Sequence, residues 1–282
     1  MPEDINEIEF TIFDLETTGL NPQSGDRIIE IAAIRLKGKH RLGTLHSLVN
    51  PGSREVSLEA FAVNQIDGKM LKDAPDIAVI MPKFLDFIAD SCLVAYNAPF
   101  DLGFLLSELR LIKGELPAQL QIADILAMAK RMLPGLERYP LWFVARHFGI
   151  NNIQQHRALA DVELTEKVFR HLSSMLVKKG VVDFRQFIGL FGLSCQLLND
   201  INNAKMAQIQ RALDIRASLK IRYLSGASAE ITEREVIPRA VTQERNQVYL
   251  VAFCNLRNQE RTFRIDNILD LQIGTSAHTF KG

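Results

Sequence analysis

FTIFDLE, residues 10–16, is the stretch on which the reading of this chain turns. Its β-branched and aromatic residues predict a strand. Alternate residues of a strand share a face, so Asp14 and Glu16 point one way while Phe13 and Leu15 point into the other layer. Two neighbouring carboxylates in an otherwise apolar strand are costly unless something neutralises them. Divalent cations such as Mg²⁺ and Mn²⁺, which take oxygen ligands, do this well. Solvation along an exposed edge is the competing outcome.

Outward from this strand, LNPQSGDR (20–27) carries turn chemistry and IIEIAAIRL (28–36) reads as a second, mostly buried strand. A third strand spans about 40–51, closed by Asn50-Pro51-Gly52. A helix is expected over 74–89, kinked or broken at Pro82. LVAYN (93–97) is a short strand, and Pro99 suits the first turn of a helix running to about Arg110. Further helices are expected over 122–133, 140–148 and 158–178. Strands first, then strands alternating with helices, predict an α/β domain with a mixed sheet over residues 1–179. Residues 180–217 read as a helical linker interrupted at Gly192. LKIRYL, REVIPRAV, QVYLVAFC and RTFRI then form a small β-rich domain over 218–275.

The 282 residues are 47% hydrophobic and 23% charged, an ordinary globular mix. Lys+Arg and Asp+Glu are both 33, so no global positive field draws in a polyanion. Any nucleic-acid binding must use a local patch or bound cations. Cys92, Cys195 and Cys254 are scattered without metal-ligand spacing, and Cys92 and Cys254 sit in apolar runs that suit buried free thiols. No leader or membrane span is visible, which predicts a cytoplasmic location and no membrane partner.

The remaining polar positions are weaker singly than together. Thr17, Thr18 and Gly19 leave the first strand with hydroxyls, amides and a permissive backbone that suit a sugar or phosphate, or simply a polar turn. Asp101 falls in the first turn of a helix, where the helix dipole favours an acid without any function. His156 precedes a strong helical pattern that contains Asp161; both reach one site only if His156 lies on the loop and Asp161 inside the helix. In order the set is D-x-E, D, H-x4-D. Phosphodiester hydrolysis by two metals needs such converging carboxylates and a proton acceptor.

FDLETTGL (13–20), NAPFD (97–101) and HRALAD (156–161) resemble, in order, the three motifs of the DEDDh exonuclease family, which includes the proofreading epsilon subunit of bacterial DNA polymerase III. IIEIAAIRL and Val49-Asn50-Pro51 fit as well, so the resemblance covers about residues 8–175. It implies a ribonuclease-H-like fold and two divalent cations, Mg²⁺ or Mn²⁺. Asp14 would bridge both cations, Glu16 and Asp161 would complete one of them, and Asp101 would support the site partly through water. His156 would be the general base. Thr17, Thr18, Gly19 and Leu20 would line the terminal nucleotide, with Asn97 beside it. One departure is Asn64-Gln65-Ile66, where the family often has His-Gly-Ile. Asp124 matches a family acid that is not a ligand and is read as structural. Trp142, in an apolar helix, is expected in the core.

The C-terminal runs resemble a WYL domain, with Val248-Tyr249-Leu250 at the naming triplet and Asn267 where an Arg is frequent. This implies a small SH3-like or Sm-like β fold, with Tyr249, Arg261 and Arg264 as candidate contacts to nucleic acid or a ligand. The expected activity is 3′→5′ release of nucleoside 5′-monophosphates from a single-stranded DNA end. RNA trimming, and a non-cleaving module that senses nucleic acid or a ligand, are the rivals. With no polymerase domain in the chain, proofreading would need a polymerase or repair partner in trans.

Overall fold

The computed structural model describes residues 4–151, 156–193, 196–245 and 247–277. The elements run β1 (Glu9–Thr17), β2 (Ile28–Lys37), β3 (His40–Leu48), α1 (Leu58–Asn64), α2 (Gly68–Leu71), α3 (Ile77–Ile88), β4 (Cys92–Ala95), α4 (Ala98–Leu111), β5 (Gln121–Asp124), α5 (Ile125–Met132), α6 (Leu141–His147), α7 (Ala158–Lys178), α8 (Phe184–Phe191), β6 (Gly192–Leu193) and α9 (Gln196–Asp214). β7 (Ala217–Leu224), β8 (Ile231–Glu244), β9 (Gln247–Cys254), β10 (Gln259–Arg264) and β11 (Ile268–Ala277) complete the chain.

The first sheet has the order β3-β2-β1-β4-β5-β6. β1 pairs antiparallel with β2 and parallel with β4, so the sheet is mixed and the fold is α/β, ribonuclease-H-like. Its two faces bury different residues of the same strands. Phe10 and Ile12 of β1, with Ala32 and Ile34 of β2, pack under α5, α6, α7 and α8. Phe13, Leu15, Ile31 and Ala33 face α3 and α4 on the other side. Period-two alternation thus decides which layer each residue of β1 enters.

Several elements differ from the sequence expectation. Residues 122–124 are strand, not helix: they pair in parallel with Leu93–Ala95, and the helix waits until Asp124 caps it, accepting from Leu126 N and Ala127 N. α3 starts at Ile77 with Asp76 as its cap and runs through Pro82 to Ile88 unbroken. There the proline forfeits a single intrahelical bond. Trp142 is half-buried rather than core, with the Arg138 guanidinium 5.0 Å from its ring centre. Cys92 and Cys254 are buried and outside any disulfide, as read.

The first part of the stretch expected as a linker is core. Phe184, Phe187 and Phe191 of α8 are buried in the same cluster as Phe10 and Phe169. The ring of Phe187 lies 5.5 Å from Phe10 and 5.4 Å from Phe191. The C-terminal sheet, β10-β9-β8-β7-β11, is antiparallel throughout. It has its own core of Leu219, Ile221, Val236, Leu250 and Phe263, covered by Ile209 and Ala212 of α9. It also docks on the first domain: Leu224 and Leu269 join the main cluster, and Asp266 meets Arg131 at 2.6 Å. Among the described residues no helix is long and apolar enough to cross a membrane.

Because Phe187 ties α8 to β1 and α7, Phe187→Ala should lower the free energy of unfolding by about 3–5 kcal/mol. Urea titration of the full chain measures this, and a loss well under 1 kcal/mol would mean that α8 is not part of the core.

Candidate active site

The face of β1 that begins with Phe10 and Ile12 ends with Asp14 and Glu16. It therefore runs out of core where the first turn of α7 brings in Asp161. One carboxylate oxygen from each of Asp14, Glu16 and Asp161 lies within 4.8 Å of the others. Asp101 arrives from the other layer. β1 and β4 pair only from Phe10 to Ile12, and beyond that the Asp101 carboxylate accepts from the Leu15 N–H. Asp101 is buried, stands outside the three-acid cluster and is the charge that acts most on Asp14.

Like charges at this density titrate abnormally. Burial first, then the neighbouring carboxylates of Asp101, Glu16 and Asp161, hold Asp14 well above the carboxylate range. Burial, then Asp161 and Glu30, push Glu16 up to about 8, against a hydrogen bond from Asn64 that lowers it. Burial raises Asp101 despite its backbone bonds. A dense set of oxygen donors that resists ionisation alone is what a divalent cation relieves. The donor set of Asp14, Glu16 and Asp161 fits such an ion.

His156 lies on the loop before α7, as its spacing requires. Its backbone is left-handed, with φ 50°, and its half-exposed ring places Nδ1 4.0 Å from Asp161 Oδ2. Thr17 Oγ1 donates to Gly19 O at 2.6 Å. Thr18 Oγ1 donates to Asp26 Oδ1 at 3.2 Å and accepts from Arg27 N at 3.0 Å. Both threonine hydroxyls therefore shape the turn itself. A Cβ at Gly19 would collide with the Asp26 carboxylate, so this turn requires glycine. Leu20, just past this turn, is 83% exposed. Asn97 takes φ 69°, and its N–H donates to Asp124 Oδ1, which also accepts from Ala98 N. Asp124 thus fixes the start of the helix that carries Asp101, the structural role read for it.

The C-terminal candidates do not all converge. Tyr249 pairs with Arg264 across β9 and β10 and shares its face, whereas Arg261 opposes Ala252 and falls on the other parity. Arg264 is held by Asp266 and Gln247, and Arg261 is exposed.

Two supporting residues escaped the sequence reading. Glu30, fully buried on β2, accepts from His46 Nε2 at 2.7 Å, Arg157 Nη2 at 2.8 Å and Nε at 3.1 Å, and the Ala158 N–H at 3.0 Å. Burial opposes its ionisation, but these bonds win and keep its pKa low. It clamps the start of α7 between His156 and Asp161. A lone acid inside the apolar run IIEIAAI was the available signal. Asn64 is the other: its Oδ1 accepts from Ile66 N at 3.0 Å while its amide bonds Glu16.

Residues 11–169 match the RNase_T exonuclease family. The chain belongs to that family. The DNA polymerase III epsilon subunit of Rickettsia typhi is 43% identical over 164 residues, covering 56% of this chain and 71% of its own. The PolC-type DNA polymerase III of Thermotoga maritima is 38% identical over 172 residues, only 12% of that larger protein. Among solved structures, the nuclease domain of 3′hExo, described as a DEDDh family member bound to rAMP, matches 64% of this chain and 97% of its own at TM-score 0.51 and 16% identity. Exonuclease I without ligand matches 93% of this chain and 63% of its own at TM-score 0.53 and 17% identity, so the likeness in fold extends past the nuclease domain. Residues 204–273 match the WYL domain. The chain is an exonuclease of the RNase_T family with a C-terminal region that matches the WYL domain, its fold is like that of a DEDDh exonuclease, and that fold implies divalent cations.

Two predictions follow the charges. Glu16 binds its proton more tightly folded, near pH 8, than unfolded, near 4.5. Its contribution to stability is therefore present below the unfolded value and lost as pH rises through the folded one. In EDTA the wild-type melting temperature should fall between pH 5 and 8, and Glu16→Gln should flatten that slope; parallel curves would show that Glu16 titrates normally. Glu30→Gln should weaken Mn²⁺ binding roughly 10–100-fold while leaving the fold intact, because it loosens the helix start rather than removing a ligand. Calorimetric titration with Mn²⁺ reads this directly, and unchanged affinity would remove Glu30 from the site.

Proposed function

We propose that this chain removes nucleoside 5′-monophosphates from single-stranded DNA 3′ ends by a two-metal hydrolysis with His156 as general base. The observation that carries the reading is the meeting of Asp14, Glu16 and Asp161 at one point, with the His156 ring at its open side. Two Mg²⁺ or Mn²⁺ ions held by Asp14, Glu16, Asp101 and Asp161 would supply Lewis acidity and charge neutralisation at the phosphate. The chain's own residues do the rest. The four carboxylates fix where those ions, and through them the phosphate, would sit, and Asp101, tied to the Leu15 amide, keeps the Asp14 end rigid. Neutral His156 takes the proton of the attacking water, and Asp161 beside it stabilises the imidazolium that results. Thr17, Thr18, Gly19 and Asn97 shape the wall against the terminal nucleotide, and exposed Leu20 offers it an apolar face.

DNA is favoured over RNA by the 43% identity to a polymerase subunit, and the same likeness supports a polymerase or repair partner in trans and a cytoplasmic location. Residues 1–193 would form the nuclease unit, α8 included, and α9 to β11 the WYL unit.

The test is digestion of 5′-labelled single- and double-stranded DNA and RNA with Mg²⁺, with Mn²⁺ and in EDTA. Metal-dependent shortening from the 3′ end, fastest on single-stranded DNA, is expected. Asp14→Ala should abolish it, and His156→Ala should lower the rate about 10²–10⁴-fold with little change in strand affinity. Retention of near-wild-type rate by either variant would overturn the assignment.

A further inference from the structure

A cavity of about 420 Å³ lies between the two domains, inside the range of small-molecule sites (~300–1,000 Å³). Its walls come from α5 and α8 on the nuclease side and from α9, β9 and the Ile265–Asn267 turn on the other. None of the four metal-site carboxylates lines it.

The charges around it are unbalanced. Arg131 and Arg264 converge on one carboxylate, Asp266, each at 2.6 Å. Lys205 is buried behind Gly189 on the same wall, and among the described residues its Nζ reaches the Ile265 carbonyl, at 3.5 Å. Among the described residues Asp266 is the acid that these three cations have in common. Asp270, the other acid that acts on Lys205, is engaged by Arg222 and Gln186. Burial pushes Lys205 down to about 8 and lowers Arg131 despite Asp266, the response of positive charge that is short of a partner. Arg264 Nη1 makes no hydrogen bond among the described residues.

The rest of the lining has a different character. Phe191, Leu198, Met206 and Val248 give the cavity an apolar wall. Asn202 lines it too, and its buried Oδ1 has no hydrogen-bond partner among the described residues. Cations at one side, an apolar wall and an unsatisfied acceptor ask for a ligand with an anionic head, a flat apolar body and a donor group.

We propose that this interdomain cleft binds a small phosphate monoester with an aromatic, amine-bearing body, of which a purine nucleoside 5′-monophosphate is the simplest case. Arg131 and Arg264 hold the phosphate as charge-assisted donors, Lys205 adds to the field behind them, and Asn202 Oδ1 accepts from the exocyclic amine. The cleft stands apart from the catalytic carboxylates, so the proposal does not depend on the nuclease reading. The same phosphate could come from that reaction or from a free nucleotide pool, and α5 joins the two sites, carrying Arg131 near its end and starting from Asp124.

The experiment is calorimetric titration of the full-length Asp14→Asn protein in EDTA with AMP, inorganic phosphate and adenosine. AMP should bind at least tenfold more tightly than either fragment. Arg131→Met and Asn202→Asp, the second placing a carboxylate in the cleft from an α9 position with little risk to folding, should each weaken AMP at least tenfold. Phosphate binding as tightly as AMP would overturn the seat for the base. No AMP binding at millimolar concentration, or binding that both variants leave unchanged, would overturn the site.

Discussion

Four carboxylates crowd the end of one strand, and the mutual repulsion of three of them is the constraint around which the nuclease domain is arranged. In a low-dielectric surrounding such a cluster would push its members apart or protonate them. It is kept in place by groups that are not part of it. Glu30 bonds the first turn of α7 through the Ala158 N–H and Arg157. Asp124 bonds the chain just before α4. Asn64 holds Glu16. Each fixes a helix start or a side chain whose natural tendency is to relax away. The three-dimensional position of the acids is therefore a property of their neighbours' hydrogen bonds as much as of the strand itself.

Much of this was legible in the sequence. The parity of FTIFDLE placed Asp14 and Glu16 on one face, and the helix pattern after His156 put Asp161 inside a helix with the histidine outside it. What could not be read were contacts made across the fold. Glu30 lies 127 residues from Arg157, and nothing local distinguishes its carboxylate from a solvated one except the apolar run around it. Asn64 looked like a mere departure from a family pattern until its amide was seen against Glu16. Boundaries failed where a polar residue ended one element and began another: Asp124 closes a strand and caps a helix, and a helical period alone does not separate the two. That α8 packs into the core was hidden for a related reason, since helical periodicity does not say which partner the apolar face will find.

The two domains are joined by more than a tether. Leu224 and Leu269 reach into the main core, and ion pairs at Arg131–Asp266 and Lys179–Glu230 flank them. A chain with equal numbers of acids and bases has no overall field to gather a polyanion. The cations that matter are local, and the most desolvated of them line the boundary between the domains.

The alternation along β1 has a consequence for how the sequence can change over time. Inserting or deleting one residue between Phe10 and Asp14 would exchange the two faces of the strand, turning Asp14 and Glu16 toward α3 and α4 and bringing Phe13 and Leu15 to the reacting end. Length changes in this strand are therefore tolerable only in pairs or beyond its ends. The loop between β2 and β3 carries no such restriction, and drift in length among relatives should collect there.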